Sequence, residues 1–510
     1  MRQAKSFSVA LVGVEGAVIE VEAAISSGLP RTTMVGLPDA ALKEARDRCR
    51  AAMSAVGPGW PTSPVTINLS PATLPKAGSH YDLSIAAAVA AAKGTFDPRA
   101  LEGVVLFGEL GLGGRVRGVR GLLPALLTAV AKGFTRAVVP AEQLREATLI
   151  TGLSVYGVGD LAELFDVLAG GGGAAMPAPG AAEVDDRRRP DLADVAGQEE
   201  AKWALEVAAA GRHHLYLHGP PGVGKTLLAE RLASILPDLT EAESLEVSAI
   251  HSLCGINLDD GLVRRPPYAD PHHSASLASL VGGGARVAMP GAISRAHRGV
   301  LFLDEAPEFP PRAMDALRVP LESGRVVLAR SESTAVYPAR FQLVMAANPC
   351  PCGMAGTPGA DCRCPPMAVR RYASRVSGPV LDRVDIHQRL RPVRSALLSS
   401  ADSVGESSAA VADRVAAARD RQRHRLSPLG WSTNAEVPGP VLRKHLPAPV
   451  GAELITRALV RGQLSARGVD KVLRLAWTVA DLAGAPSPTV DHLHTALAMR
   501  RGEDGAGGSH

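Results

Sequence analysis

The stretch Gly219-Pro220-Pro221-Gly222-Val223-Gly224-Lys225-Thr226 follows the short apolar run 215–217 and precedes an amphipathic segment, residues 227–236. A strand, a glycine-rich loop and a helix in this order are the context in which GxxxxGK[ST] forms a phosphate-binding loop. The glycines let backbone N–H groups close around phosphate oxygens, and the start of the helix adds a favourable dipole. Lys225 is predicted to reach the β- and γ-phosphates of ATP, and the Thr226 hydroxyl to coordinate Mg²⁺. We therefore predict that the whole stretch binds ATP, and set aside a chance glycine turn.

Two further apolar runs end in polar residues that suit the same chemistry. Residues 300–303 form a run typical of a buried parallel strand and end in Asp304-Glu305. Asp304 suits the Mg²⁺ shell, and Glu305 suits a base that polarises the attacking water. Residues 341–346 lead to Asn348, whose amide is predicted to hold that water. An acidic helix start and an asparagine in a turn are the ordinary alternatives, and the phosphate-binding loop favours hydrolysis over both.

The pattern of elements divides the chain, which at 510 residues is too long for one core. From residue 191 strands and helices alternate, which predicts an α/β domain with a parallel sheet covered on both faces. After residue 394 only helical patterns remain, at 411–425, 452–461, 469–483 and 490–500. The first segment mixes strands and helices, with strands predicted at 8–14 and 17–21 around a turn at Glu15-Gly16. The predicted boundaries are an α+β domain at 1–169, a flexible linker at 170–190, the α/β core at 191–394, a helical domain at 395–503 and a disordered tail at 504–510.

Composition excludes some classes of protein. Aromatic residues make up 4% of the chain, which argues against base stacking as the main nucleic-acid device. The formal charge of +4 is too small to identify a polyanionic partner. Apolar runs are too short to span a membrane, so we expect a cytoplasmic protein without membrane contact.

Several motifs together resemble the YifB/ComM family of magnesium-chelatase-like AAA+ ATPases over nearly the whole chain. The resemblance implies a central AAA+ P-loop NTPase domain, a C-terminal α-helical lid and a hexameric ring with its sites between subunits. ComM-type members are similar to DNA helicases that drive branch migration in recombination and natural transformation. The matching motifs are Asn68-Leu69-Ser70-Pro71-Ala72 with Pro75-Lys76, Asp194-Val195-Ala196-Gly197-Gln198, Pro271-His272-His273, Ala296-His297-Arg298-Gly299, Asn348-Pro349-Cys350-Pro351-Cys352-Gly353, residues 377–385 and Leu464-Ser465-Ala466-Arg467-Gly468.

By family position, two arginines are expected to act on ATP. Arg383 looks like the arginine finger supplied to a neighbour's nucleotide, and Arg467 like the sensor arginine of the lid. A guanidinium stays charged and bridges phosphate oxygens through two donors, which stabilises charge in the transition state. Arg474 competes for the lid role, and an ion pair is the plain alternative for each arginine.

The first segment looks like a Lon-protease-like (S5 domain 2-like) α+β fold. On the protease pattern the nucleophile position falls at His80 and the lysine position at Leu123, so we expect a non-proteolytic scaffold. A displaced pair of Ser79 and Lys76 has no geometric support. Three arginines of a Gly-rich loop are predicted either to touch DNA phosphates or to be solvated: Arg115, Arg117 and Arg120.

Four of the six cysteines crowd into an insertion at residues 350–364. They form two CxC pairs, Cys350/Cys352 and Cys362/Cys364. Four thiolates satisfy tetrahedral Zn²⁺, and a Gly/Pro-rich loop would gain order from it, so we favour structural zinc. Reduced free thiols and a redox-sensitive loop remain the alternatives.

Two histidine motifs invite a different interpretation. His272-His273 suggests a metal pair, but adjacent residues of a strand point to opposite faces, so a structural or ring-interface role is favoured. His297 and Arg298 are equally interpreted as contacts between subunits. All four stay outside the predicted catalytic set.

The leading hypothesis is an ATP-driven DNA translocase that acts on branched or single-stranded DNA. A chelatase-type subunit that remodels a partner protein is the alternative, and an ATP-dependent protease is disfavoured by His80 and Leu123. Residues 282–284 and 323–337 are candidate DNA-gripping loops by family architecture.

Overall fold

A computed structural model describes most of the chain. The described residues are 2–36, 39–72, 74, 80–171, 190–284, 288–329, 334–356, 361–392 and 405–502, with backbone alone at 39–42. The predicted linker falls almost entirely outside these ranges, as do the predicted tail, the boundary at 394, Lys76 and Ser79.

The amino-terminal part is built on one mixed sheet in the order β3-β4-β2-β1-β5-β8-β9. β1 pairs antiparallel with β2, and β5, β8 and β9 continue the sheet in parallel. The strands of this sheet are β1 Arg2–Val12, β2 Glu15–Ile25, β3 Thr32–Val35, β4 Val65–Ser70, β5 Val104–Leu106, β8 Arg136–Pro140 and β9 Ser154–Val158. A separate antiparallel pair consists of β6 Glu109–Leu110 and β7 Val116–Arg117. The helices of this part are α1 Asp39–Val56, α2 Asp82–Lys93, α3 Leu122–Ala131, α4 Leu144–Ala147 and α5 Leu161–Leu168.

The first hairpin turns earlier than the sequence predicts. Glu15 and Gly16 belong to β2, where they pair with Val12 and Leu11, and the turn lies at Gly13 with φ of 69°. Gly16 serves packing instead, because a Cβ at this position would lie 2.2 Å from the Thr128 hydroxyl of α3. The prediction of a turn at Glu15-Gly16 was therefore wrong.

The central part is a three-layer α/β unit around a five-stranded parallel sheet in the order β11-β14-β17-β10-β18. All residues of β14 and β17 are buried, as strands covered on both faces require. The strands are β10 Leu215–His218, β11 Tyr268–Ala269, β12 Gly282–Gly283, β13 Met289–Pro290, β14 Val300–Leu303, β15 Arg325–Ala329, β16 Thr334–Pro338, β17 Gln342–Ala347 and β18 Ile386–Arg389. The helices are α6 Glu199–Gly211, α7 Lys225–Leu232, α8 Glu241–Cys254, α9 Leu277–Val281, α10 Ala292–Arg295, α11 Pro311–Ala316, α12 Arg318–Ser323, α13 Pro366–Ala373 and α14 Gly378–Leu381.

The carboxyl-terminal part is helical and shares a core with one face of the central sheet, so the predicted parallel sheet and helical C-terminus are confirmed. Trp477 is 1% exposed in this core, and the Arg425 guanidinium lies 4.4 Å from its ring. The helices are α15 Ser408–Leu426, α16 Gly439–His445, α17 Glu453–Val460, α18 Ala466–Leu482 and α19 Val490–Arg501. Sequence patterns missed α16, and short 3₁₀ turns complete the chain at Pro98–Leu101, Ala141–Gln143, Leu192–Asp194, Ala233–Ile235, Ala306–Glu308, Ser427–Leu429 and Asn434–Glu436.

The amino-terminal part docks on the carboxyl end of α8. Ser252 of α8 donates to the buried carboxylate of Glu146 at 2.6 Å, and the Leu123 N–H donates to the Ser252 hydroxyl at 3.2 Å. Leu253 packs so closely on Gly121 that a Cβ there would lie 2.8 Å from its side chain. The two parts are therefore joined by a packed, hydrogen-bonded junction.

No helix within the described ranges combines the length and the apolar character needed to cross a membrane.

Candidate nucleotide site

The glycine-rich stretch connects β10 to the first turn of α7. Gly222 and Gly224 have φ of 77° and 92°, a backbone conformation that glycine adopts without strain. The α-helix begins at Lys225, two residues before the predicted amphipathic segment, and ends at Leu232 in a 3₁₀ turn. The N–H groups of this first turn therefore face the space above the carboxyl end of the sheet.

Lys225 is buried and drawn into the loop. Its Nζ donates to the carbonyls of Gly219 at 2.7 Å and Pro220 at 2.8 Å, and to Oδ1 of Asn348 at 2.9 Å. Burial lowers the pKa of Lys225, and the carboxylates of Asp304 and Glu305 partly offset this shift. The ammonium group thus lies where β10 and β17 end side by side.

Asp304 follows the third strand of this group, β14. The Thr226 hydroxyl donates to Oδ2 of Asp304 at 2.8 Å, and the Glu305 N–H donates to Oδ1 at 2.8 Å. A hydroxyl and a carboxylate at this separation are hard oxygen ligands of the kind that Mg²⁺ prefers. The structure therefore brings together Lys225, Thr226, Asp304 and Asn348.

Glu305 adopts a left-handed backbone conformation, with φ of 50°, and its side chain is half exposed. Nδ1 of His273 lies 3.3 Å from its Oε2. The sequence placed His272 and His273 on opposite faces of a strand, and that prediction was wrong. β11 ends at Ala269, the two histidines lie in the segment after it, and their ring centroids are 4.0 Å apart.

Gln198 is a contact of the loop that the prediction of site residues did not include. Its Nε2 donates to the carbonyl of Val223 at 3.1 Å and to that of Arg391 at 2.7 Å. The side chain therefore ties the glycine-rich stretch to the segment after β18. The motif Asp194–Gln198 was the available signal.

The two predicted arginines lie elsewhere in the chain, beside a cavity of about 1120 Å³ that many charged side chains line. Nη2 of Arg383 lies 2.5 Å from Oε1 of Glu322, and Arg467 lies within 3.7 Å of both Glu322 and Asp382. Arg474 also lines the cavity, where its Nε donates to the carbonyl of Val437 at 2.8 Å. None of the described residues that line this cavity belongs to the stretch 219–226. The fold does not bring these arginines to the loop of their own chain.

His297 and Arg298 contact α8 within the same chain. Nε2 of His297 and Nε of Arg298 lie 3.0 Å and 2.9 Å from Oε2 of Glu246. The hydrogen bond from His297 and the charge of Arg298 lower the pKa of Glu246 to about 2. These contacts fix the residues that lead into β14.

The positions that correspond to a protease pair hold a partly buried histidine and a fully buried leucine. The His80 ring lies against Tyr81, with ring centroids 4.0 Å apart and ring planes tilted by 42°, and desolvation lowers its pKa to about 4. Leu123 is fully buried in an apolar cluster. Of the three predicted loop arginines, Arg120 approaches Gly255 at the end of α8.

The four cysteines of the insertion converge on one point. Cys350 Sγ lies 3.3 Å from Cys352 Sγ and 3.8 Å from Cys362 Sγ, and all four sulfur atoms, that of Cys364 included, lie within 4.8 Å of one another. A Zn–S bond of about 2.3 Å places the corners of a tetrahedral site about 3.8 Å apart, so the cluster fits zinc. The N–H of Met354, together with the neighbouring thiols, lowers the pKa of Cys352 to about 6. Against a hydrogen bond from the backbone of Cys364, burial and the thiols of Cys352 and Cys350 raise the pKa of Cys362 to about 11.

Comparison with known proteins finds matches along the chain. Residues 191–398 match the family described as magnesium chelatase, subunit ChlI, residues 21–143 match subunit ChlI of Mg-chelatase, and residues 405–500 match the ChlI C-terminal family. An uncharacterized protein of Mycobacterium tuberculosis is 52% identical over 98% of this chain and 99% of its own. The uncharacterized protein YifB of Escherichia coli is 43% identical over 96% of both chains. The competence protein ComM of Haemophilus influenzae is 37% identical over 97% of this chain and 96% of its own.

Proposed function

The chain belongs to the magnesium-chelatase-like family of AAA+ ATPases that includes YifB and ComM, and from this premise we propose that it is a hexameric ATP-driven DNA translocase. In this proposal it promotes branch migration of recombination intermediates. One observation supports the proposed ATPase activity. Four side chains meet at the carboxyl edge of one parallel sheet: Lys225, Thr226, Asp304 and Asn348. The DNA substrate rests on the similarity to a protein named for competence.

In the proposed reaction, the chain's own groups bind and orient ATP. The N–H groups of the glycine-rich stretch hold the phosphates, and the Lys225 ammonium exchanges its carbonyl contacts for β- and γ-phosphate oxygens. Thr226 and Asp304 would hold Mg²⁺, which neutralises charge on the phosphates. Asn348 orients the attacking water, and Glu305 polarises it.

Arg383 and Arg467 are proposed to act on the nucleotide of a neighbouring subunit. Both lie on a cavity away from their own glycine-rich stretch, where Arg383 pairs with Glu322 and Arg467 lies near Glu322 and Asp382. A ring places such a face against the next subunit's loop. A guanidinium delivered in this way stabilises the transition state by its charge and its two donors.

The cysteine cluster is proposed to hold structural zinc, supported by the convergence of four sulfur atoms. We expect about one zinc per chain from elemental analysis of protein purified without chelators. A full count of reactive thiols with no metal would contradict the assignment.

A chelatase-type motor that remodels a partner protein is the second candidate, because the family matches are to subunits of magnesium chelatase. The two candidates share the ATP chemistry and differ in what the motor moves.

A synthetic four-way DNA junction separates them. The translocase is expected to bind the junction in a salt-sensitive manner, to hydrolyse ATP faster in its presence and to resolve it with ATP. Glu305→Gln should still bind ATP and the junction but lose both hydrolysis and resolution, by about 10²–10⁴-fold in rate. A wild-type ring that hydrolyses ATP and neither binds nor resolves the junction would favour the remodelling subunit.

A further inference from the structure

The cysteine insertion begins where the nucleotide site ends. Asn348, which accepts the hydrogen bond from Lys225, is two residues before Cys350. The N–H of Gly219 also donates to the carbonyl of Ala347, the last residue of β17, at 3.2 Å. Any movement of Cys350 therefore acts on the residues that hold the Lys225 ammonium.

The insertion also touches the glycine-rich stretch directly. Gly353 has φ of 79°, and a Cβ built on it would lie 2.6 Å from Cδ and 3.0 Å from Cγ of Pro221. Its N–H donates to the carbonyl of Cys350 at 2.9 Å, which closes a tight turn between the first two cysteines. The backbone of this turn therefore packs closely against the ring of Pro221 in the glycine-rich stretch.

The residues that follow the insertion contact the turn after Glu305. After Cys364, helix α13 buries Tyr372, and Nη1 of Arg375 lies 2.8 Å from Oε2 of Glu308. Glu308 belongs to the 3₁₀ turn that immediately follows Glu305. One end of the insertion is therefore next to Asn348, and the residues that follow its other end contact the turn after Glu305.

A loop of this composition has little else to fix its shape. Among its four cysteines only Cys350 is fully buried, and its other described residues are mostly glycine, proline and exposed polar groups. A loop without its own core gains its order from a cross-link, and a four-thiolate centre supplies one.

We propose that the described segments of the insertion, residues 350–356 and 361–364, closed by metal at their four cysteines, form a wall of the nucleotide site that positions Pro221 and Asn348 and so sets the affinity for ATP. The proposal rests on the proposed ATPase function and adds a positioning role to a centre that is otherwise only structural. The wall acts through the Gly353–Pro221 contact and through the short connection between Cys350 and Asn348.

Two glycines of the insertion provide a matched test on the full-length protein. Gly353 and Gly356 both have positive φ, so alanine strains the backbone similarly at each. At Gly356 a Cβ meets only Nη2 of Arg389, at 3.5 Å, and does not approach Pro221. We expect Gly353→Ala to weaken binding of a fluorescent non-hydrolysable ATP analogue by about tenfold, and Gly356→Ala by less than about twofold. Equal affinities in the two variants would overturn the role of the contact.

A second experiment tests the role of the metal with the double variant Cys362→Ser/Cys364→Ser. This variant keeps Cys350, the cysteine that lies near Asn348. We expect zinc content to fall to near zero and the affinity for the ATP analogue to fall about as far as in Gly353→Ala, with circular dichroism showing the same helix content. Loss of zinc with unchanged analogue affinity in a folded variant would overturn the proposal. A wild-type protein that binds no ATP analogue would instead contradict the proposed ATPase function. Failure of the proposed function and failure of this inference therefore give different results.

Discussion

Glu305 has a strained backbone conformation, which the sequence did not indicate. A non-glycine residue with φ of 50° is held by its surroundings, and such strain gathers at functional sites. Three contacts hold it: its N–H donates to Asp304, its carbonyl accepts from the Glu308 N–H at 2.7 Å, and His273 approaches its carboxylate. His273 is therefore a candidate positioning residue for the base.

The prediction that follows concerns hydrolysis and not binding. His273→Ala should lower kcat of ATP hydrolysis by about tenfold or more, because a misplaced base loses its alignment with the water. The affinity for ATP should change little, since His273 does not contact the glycine-rich stretch among the described hydrogen bonds and ion pairs. Steady-state kinetics separates kcat from KM, and equilibrium binding checks the affinity.

His272→Phe is the matched control for this prediction, because it keeps a ring against His273 while removing the nitrogen atoms. Its kcat should stay within about twofold of wild type. An unaltered kcat in His273→Ala would show that the contact with Glu305 does not position the base.

At this scale the sequence predicts much of the candidate site and misses what depends on conformation. Lys225, Thr226 and Asp304 were predicted from motifs, and the structure brings them together, because local patterns determine where a loop and a strand end. His273 was missed because the alternation rule applies only to a strand, and this residue lies beyond β11. Their catalytic roles stay predictions.

A buried ion pair connects helix α18 to the edge of the central sheet. Nζ of Lys471 lies 2.6 Å from Oδ1 of Asp385, just before β18, and donates to the carbonyl of Arg383 at 2.7 Å. Burial would raise the pKa of Asp385, but Lys471, His213 and His214 lower it well below its usual range. The pair therefore contributes stability above the pKa of an unfolded aspartate, and this stability is lost as the pH falls through the folded pKa.

Lys471→Met should destabilise the protein by about 3–5 kcal/mol at pH 7, because it leaves a buried carboxylate without its partner. In the variant, burial acts on Asp385 without the opposing charge of Lys471 and raises its pKa relative to wild type, so protonation at low pH relieves the penalty. The difference from wild type should consequently shrink as the pH falls towards about 4. Denaturant unfolding at several pH values measures it.

The exposed Lys444→Met serves as the comparison, with an expected effect within about 0.5 kcal/mol at every pH. A pH-independent difference between Lys471→Met and wild type would mean that lost packing, and not the charge of Asp385, causes the destabilisation.

Sequence patterns predict elements best where burial follows a simple period. The fully buried run of β14 and the helix at 490–500 were both predicted, and the structure confirms them. The short helix α16, Gly439–His445, was missed because glycine and proline at its start resemble a loop. The first hairpin was misplaced because Gly16 is required by contact with α3, and such long-range packing leaves no local signal.

In the whole molecule, Arg383 lies away from the glycine-rich stretch of its own chain. This separation allows a test of whether neighbouring subunits share each nucleotide site. Rings made only of Lys225→Ala or only of Arg383→Ala subunits should be inactive. Rings that contain both variants in equal amounts should recover about a quarter of wild-type ATPase activity, because about one interface in four pairs an intact loop with an intact arginine. The measurement requires mixed rings purified through two different tags.

Rings of each variant, purified and assayed in the same way, set the baseline. Mixed rings that stay at this baseline would mean that both groups serve the same chain's nucleotide, contrary to the proposed arrangement.

The docking of the amino-terminal part on α8 constrains how the two halves can change over evolutionary time. Replacing the first half by an unrelated module would leave Leu253 in water and the Ser252 hydroxyl without Glu146. The same helix contacts His297 through Glu246 and Arg298 through Glu243, so a disturbed graft would reach the residues that lead into β14 across about 9–14 Å of helix. We expect residues 121, 123 and 146 to covary with 252 and 253, and the halves to be inherited as one unit.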